Sequence, residues 1–274
     1  MAQPLELVGD TPSRWRELRG TAEEAARSEP RLSSLMNAAI LSHDDLAGAL
    51  SFQIARKLGD AELGAMTVRE VALTAFAADP GIVAAAEADL KAVQERDPAI
   101  RSLLQPFLYF KGFQALQAWR VAHWLWEQDR DTLAFHFQSR ISELFQLDIH
   151  PAARIGSAVF IDHGTGIVIG ETAVVGDEVS MLHAVTLGGT GAERGDRHPK
   201  IGRGVLLGAG AKVLGNITVG DYAKVASGSV VLKPVPAGCT VAGVPARLVN
   251  CPTDATPART MDHTLSDIVY DFVI

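Results

Sequence analysis

Across much of the second half of this chain an aliphatic residue returns at every sixth position. The series runs Ile149, Ile155, Ile161, Ile167, Ala173, Val179 and Val185, then Ile201, Leu207, Val213, Val219, Val225 and Val231. A period of six fits neither an amphipathic helix at 3.6 nor a simple strand at two. It fits a chain that turns a corner after each short strand, so that stacked coils share one continuous core. Gly156, Gly170, Gly176, Gly202, Gly208, Gly220 and Gly228 fall where such corners turn tightly. The expectation is a parallel β-helix of hexapeptides over residues 148–249.

Between the two blocks the phase breaks. Val185 and Ile201 are sixteen residues apart, which is not a multiple of six, so residues 187–200 should loop out of the prism. That stretch is rich in glycine and charge, as a turn-forming loop is, and loops held by a rigid scaffold often carry function.

The first half reads as helical. Leu46, Leu50, Ile54 and Leu58 recur at helical spacing behind Ser42, Asp44 and Asp45. Thr67 and Glu70 suggest a capping box for a helix that stops at Asp79-Pro80. Another helix should run from Ile82 to Arg96 and end at Asp97-Pro98. An aromatic helical segment follows over 107–127, and a last helix opens at Thr132 with Phe137, Ile141, Leu144 and Phe145 on one face. Such a helical region would cap the prism or make subunit contacts. Residues 250–274, rich in Pro, Thr and Asp, read as a flexible tail with an apolar end suited to docking elsewhere.

Composition narrows the function classes. The net charge of −7 argues against nucleic acid as the main partner, although 194–247 carries eight Lys or Arg against Asp196 and Asp221 and could attract an anion. No signal or membrane-spanning run is read, which suits a cytoplasmic protein. Cys239 and Cys251 lack metal-type spacing and read as ordinary thiols of a reducing compartment, with a disulfide between them as the alternative.

The polar residues that break the prism pattern are the candidates for chemistry. Asp148 opens the repeat, Asp162 and His163 interrupt it, His183 sits on a later strand, and Arg197 with His198 lies in the loop. Asp148 and His163 are fifteen residues apart, close to one coil of eighteen, so they could meet on successive coils. A carboxylate on one ring nitrogen would leave the other free as a base near neutral pH. His183 reads as structural, and His150 as a coil-start residue. No nucleophile elbow or Walker pattern is present, so direct transfer between two bound substrates is the simplest enzymatic reading.

At these residues the chain resembles the serine O-acetyltransferases of the hexapeptide-repeat acyltransferase superfamily. The matching runs are RDPA (96–99), YFKGFQALQAWR (109–120), DIHPA (148–152), DHGTG (162–166), VTLGGTG (185–191), DRHPKI (196–201) and AGVPAR (242–247). The resemblance implies an α+β chain. A helical domain over 1–147 would supply oligomer contacts and part of the serine pocket, ahead of a left-handed β-helix. It implies transfer of acetyl from acetyl-CoA to L-serine, with His163 as general base and Asp148 orienting it. Asp97 and Asp162 would hold the serine ammonium, and Arg197 with His198 its carboxylate. Gly189, Ala209, Lys224 and Arg247 would contact acetyl-CoA between neighbouring subunits. No metal or other cofactor is implied. The family pattern further implies a trimer or dimer of trimers, inhibition by L-cysteine, and insertion of the C-terminal Ile274 into O-acetylserine sulfhydrylase. The closest competing reading is the same chemistry on a sugar or homoserine hydroxyl. A metal hydratase built on His163, His183 and His198 is another class, and a scaffold for the sulfhydrylase a third.

Overall fold

The computed structural model describes residues 14–191, 194–252 and 256–265. Helices come first: α1 (Arg14–Ser28), α2 (Ser33–Met36), α3 (Leu46–Leu58), α4 (Ala65–Ala78), α5 (Gly81–Arg96), α6 (Leu104–Leu108), α7 (Lys111–Glu127) and α8 (Asp131–Phe145). Their ends follow local chemistry. The Asp45 carboxylate accepts from Gly48 N at 2.8 Å and opens α3. Asp79 and Pro80 separate α4 from α5, as expected. Three expectations shift. α4 starts at Ala65 rather than behind Thr67, because the Val68 amide already bonds Gly64 O and closes a turn ahead of Thr67. The aromatic segment breaks at Tyr109 and Phe110 into α6 and α7. On α8 Leu144 is exposed, while Phe137, Ile141 and Phe145 are buried.

The prism follows as a left-handed parallel β-helix with three faces. The first face stacks β1 (Leu147–Ile149), β4 (Ile167–Ile169), β7 (Thr186–Gly188), β10 (Lys212–Leu214) and β13 (Val230–Val231). The second stacks β2 (Arg154–Ile155), β5 (Val174–Val175), β8 (Lys200–Ile201) and β11 (Thr218–Val219). The third stacks β3 (Phe160–Ile161), β6 (Ser180–Met181), β9 (Leu206–Leu207) and β12 (Lys224–Val225). It is extended by β14 (Thr240–Gly243) and the antiparallel β15 (Ala246–Asn250).

The register corrects the sixfold series. A regular coil pairs residues eighteen apart, as Lys212 with Val230, and the coil that carries the loop pairs them 26 apart, as Val174 with Lys200. The first coil is also longer than regular, for Ile149 pairs with Ile169 and Ile161 with Met181, twenty apart. The main inward set is therefore Ile149, Ile155 and Ile161, then Ile169, Val175, Met181 and Leu187. Ile167, Ala173, Val179 and Val185 are also buried, as the other inward residue two places earlier in each turn. Both sets point inward, so the sequence series slides from one to the other without an apparent break. The two extra residues fall at His163 and Gly164.

Buried polar contacts join the halves. Asp89 on α5 is fully buried and accepts from Gln117 Nε2 at 2.9 Å, Arg120 Nη2 at 2.8 Å and Val159 N at 2.8 Å. Arg120 also donates to Gly156 O at 2.8 Å. Arg96 reaches Glu178 O and Ser180 Oγ, and Ser180 Oγ donates to Ala258 O in the short α9 (Pro257–Thr260). The first part of the tail thus lies against the body, with Lys224 Nζ donating to Thr264 O at 2.7 Å. Ile274 lies outside the described residues.

The two cysteines are a correction. Cys239 and Cys251 form a disulfide, not free thiols. They flank the β14–β15 hairpin, where Thr240 pairs with Asn250, so the hairpin register sets them face to face. Their spacing of twelve has no motif meaning until that hairpin is known.

Candidate active site

The corner between the third and first faces repeats from coil to coil. Ala184 N donates to Thr165 O, Gly210 N to His183 O and Gly228 N to Ala209 O, so Thr165, His183 and Ala209 form one column. One step earlier, Asp162 N bonds Met181 O and Leu182 N bonds Leu207 O, which aligns Asp162 with Leu182. Only in the first coil do two residues stand between these columns. Gly164 turns inward, and a Cβ there would lie 3.1 Å from Ile161 and 3.2 Å from Leu147. His163 turns outward, with φ of +57° and a side chain 73% exposed. The insertion therefore lifts one imidazole off an otherwise regular edge.

The helical half meets this corner. Gly112, in the first turn of α7, lies so near β3 that a Cβ would fall 2.2 Å from Ile161 O. Asp97 follows α5 and accepts from Ala99 N at 2.9 Å. Together they enclose a cavity of about 500 Å³ lined by Asp97, Tyr109, Lys111, Asp162, His163 and Thr165, among others. His163 Nε2 lies 3.6 Å from Asp162 Oδ1, and the His183 ring stands edge-on to it, with centroids 6.1 Å apart. Burial raises the Asp162 carboxyl above the ordinary range; the nearby imidazole opposes this and Asp97 adds to it. An added cation between Asp97 and Asp162 would relieve that penalty.

Asp148 lies elsewhere on the same face. It is exposed on β1, accepts from Gln138 Nε2 at 2.7 Å, and is beyond ion-pair distance of His163. The carboxylate beside the imidazole is Asp162. Asp148 stands beside Val168 of β4, the strand that follows the corner.

Arg197 and His198 are on the opposite edge of that face, where β4 and β7 turn toward the second face. Arg197 Nη2 pairs with Glu171 Oε2 at 2.7 Å. The His198 ring covers Gly170, where a Cβ would meet it at 2.1 Å, and its Nδ1 accepts from Thr172 N at 3.1 Å. Burial, with Arg197 adding to it, lowers the His198 pKa, and acceptance by Nδ1 places the proton of the neutral ring on Nε2. Burial likewise lowers His150 on this edge. Lys200 holds the loop down through Asp196 Oδ1, Thr172 O and His198 O.

Two of the four expected acetyl-CoA residues fall on these edges and two do not. Ala209 continues the column above Thr165 and His183. Gly189 sits against Arg197 on the opposite edge. Lys224 is on the third face under Thr264, and Arg247 is on β15. The expected site residues of the first face thus lie along its two opposite edges, with Val168 exposed between them. Glu171 and Lys111 escaped the sequence reading: Glu171 matters only through Arg197, and Lys111 sits inside a motif read as helix core.

Comparison with known proteins shows the family. Residues 14–118 match the family model described as serine acetyltransferase, N-terminal, and 198–233 the bacterial transferase hexapeptide model of six repeats. A serine acetyltransferase of Salmonella typhimurium is 51% identical over 270 residues, covering 98% of this chain and 97% of the relative. A solved serine acetyltransferase in complex with cysteine superposes with a TM-score of 0.91 at 49% identity, covering 92% of this chain and 98% of that one. Another, from Brucella abortus with coenzyme A, gives 0.85 at 51% identity, covering 89% and 98%.

Proposed function

The chain belongs to the serine acetyltransferase family, and on that footing we propose that it moves the acetyl group of acetyl-CoA onto the hydroxyl of L-serine. The observation that carries this reading is the inserted His163 beside two carboxylates that favour an ammonium. Asp97 and Asp162 hold the amino group of serine, and relief of the strained Asp162 charge contributes to binding. The hydroxyl then faces His163, whose ring turns from Asp162 toward Asp148 as the ammonium takes over Asp162.

His163 removes the hydroxyl proton while the serine oxygen attacks the thioester carbonyl. Collapse of the tetrahedral intermediate forms the ester and breaks the C–S bond. The imidazolium returns its proton to the leaving thiolate. A thioester is an activated donor, so this route needs no cofactor. A homoserine side chain is one methylene longer, and a sugar has no ammonium for the two aspartates. Within one chain the described histidines do not gather as a metal set would, and for a set shared between subunits the discriminating test is chelation, which should leave acetyl transfer intact.

Arg197 and His198 reach this pocket from a neighbouring subunit. Threefold rotation brings one edge of the first face against the opposite edge of the next copy and covers Val168. Acetyl-CoA lies in the resulting cleft along Ala209 of one subunit, with Gly189 of the next, toward Lys224 and Arg247. L-cysteine, with a thiol in place of the hydroxyl, fits the same pocket as an inhibitor and ends a pathway that begins with O-acetylserine. Ile274 is carried forward as the contact to the sulfhydrylase by resemblance alone.

Mixing subunits tests the shared site. His163→Ala and Arg197→Ala homo-oligomers should each be nearly inactive. Co-expressed in equal amounts, they should regain activity at about a quarter of the sites, those joining an intact His163 to an intact Arg197 from different chains. Activity no higher than that of either variant would place the whole site within one chain.

A further inference from the structure

His183 stands where the two substrates would meet, and the acetyl-transfer steps above do not use it. The corner column places Thr165, His183 and Ala209 on three successive coils, about 4.8 Å apart. The acceptor cavity opens at the first of these, beside α7 and the end of α5. Ala209, the expected acetyl-CoA contact, is on the third. His183 therefore lies between acceptor and donor. Its backbone is fixed: Ala184, at φ of +57°, donates to Thr165 O at 2.7 Å and its carbonyl accepts from Lys212 Nζ at 2.5 Å, while His183 O accepts from Gly210 N at 2.9 Å. Its ring is not engaged. His183 is exposed, stands edge-on to His163, and its ring makes no hydrogen bond with the described residues. The other side chains of the column offer nothing comparable, because the Thr165 hydroxyl is taken by Lys111 and Ala209 ends in a methyl group.

An imidazole presents an N–H donor whether it is neutral or charged. With ring centroids 6.1 Å apart, His163 and His183 can each reach a different oxygen on one carbon, the attacking serine oxygen at His163 and the thioester oxygen at His183. We infer that His183 is a catalytic residue that donates a hydrogen bond to the thioester carbonyl of acetyl-CoA and stabilises the negative charge that develops on this oxygen as serine attacks. Proton transfer stays with His163, and no covalent bond forms or breaks at His183. A donor already in place on a rigid corner acts where the charge appears, without reorganisation during the reaction. The inference rests on acetyl transfer to serine, as proposed above.

The test compares His183→Leu, which keeps bulk and removes the donor, with His183→Gln, whose amide N–H can take its place. In the full-length oligomer His183→Leu should lower kcat by about 10²-fold, the scale of one oxyanion donor. His183→Gln should stay within about tenfold of the natural value, with KM for both substrates little changed. A second readout needs no turnover. Acetyldethia-CoA, a ketone in which a methylene replaces the sulfur, is isotopically labelled at its carbonyl carbon and bound to each protein. A hydrogen bond to that oxygen moves the carbon NMR resonance downfield, so the shift should be present in the natural chain and in His183→Gln and lost in His183→Leu. Only folded, ligand-bound protein contributes to it. A natural kcat in His183→Leu, or the same carbonyl resonance as in the natural chain, would overturn the assignment of His183. No serine-dependent transfer by the natural chain would instead overturn the reaction on which it rests.

Discussion

Replacing His163 with Ala should lower kcat/KM for serine by about 10²–10⁴-fold, the range for loss of a general base. Stability should hardly change, because the side chain is 73% exposed and its ion-pair contact is a single carboxylate at 3.6 Å. The inserted corner is shaped by Gly164, which the substitution leaves in place. Binding of acetyl-CoA, measured by calorimetry, should survive. A variant that keeps more than a tenth of the natural rate would show that the base lies elsewhere, with His183 next to be tested.

The second large effect is on the fold. Asp89→Ala should destabilise the protein by about 3–5 kcal/mol, the cost of removing one partner from a buried ion pair. Asp89 is fully buried, and its three donors come from both halves: Gln117 and Arg120 on α7, and the Val159 amide at the prism. Without the carboxylate, the Arg120 charge keeps only the carbonyls of Gly156 and Ile155 in a site that stays closed to water. The check is the urea midpoint by circular dichroism, read at both helical and strand wavelengths. A loss below about 1 kcal/mol, the scale of an exposed pair, would mean that the Asp89 cluster is not what holds the halves together.

Much of the molecule was legible because its repeat is strict. One aliphatic at every corner specifies a prism, and the sixteen-residue gap after Val185 marks the extruded loop. The phase slip at His163 was hidden for a physical reason. Each coil buries residues two apart, such as Ile167 and Ile169, so a two-residue insertion moves the aliphatic count onto another buried set. The weak position, Ala173, was the trace it left. Asp162 and His163 stood out as polar residues in that pattern, but their neighbours did not. Glu171 gains meaning only from Arg197 across the loop, and the Cys239–Cys251 bond only from the hairpin register. The approach of Asp148 to His163 was inferred from coil length; this chain shows Asp162 in that place and Asp148 with Gln138. That Asp97 joins the pocket needs the close contact at Gly112, which helical periodicity does not reveal.

The central claim is that the inserted corner makes a serine-specific acetyl acceptor site. Thiol release from acetyl-CoA by the full chain, followed with L-serine, L-homoserine, a simple hexose or no acceptor, tests it most directly. The account predicts rapid release with serine, at least about tenfold slower release with homoserine for one extra methylene in a fitted pocket, and background with the hexose or alone. Equal release with and without serine, or a preference for either alternative, would contradict it.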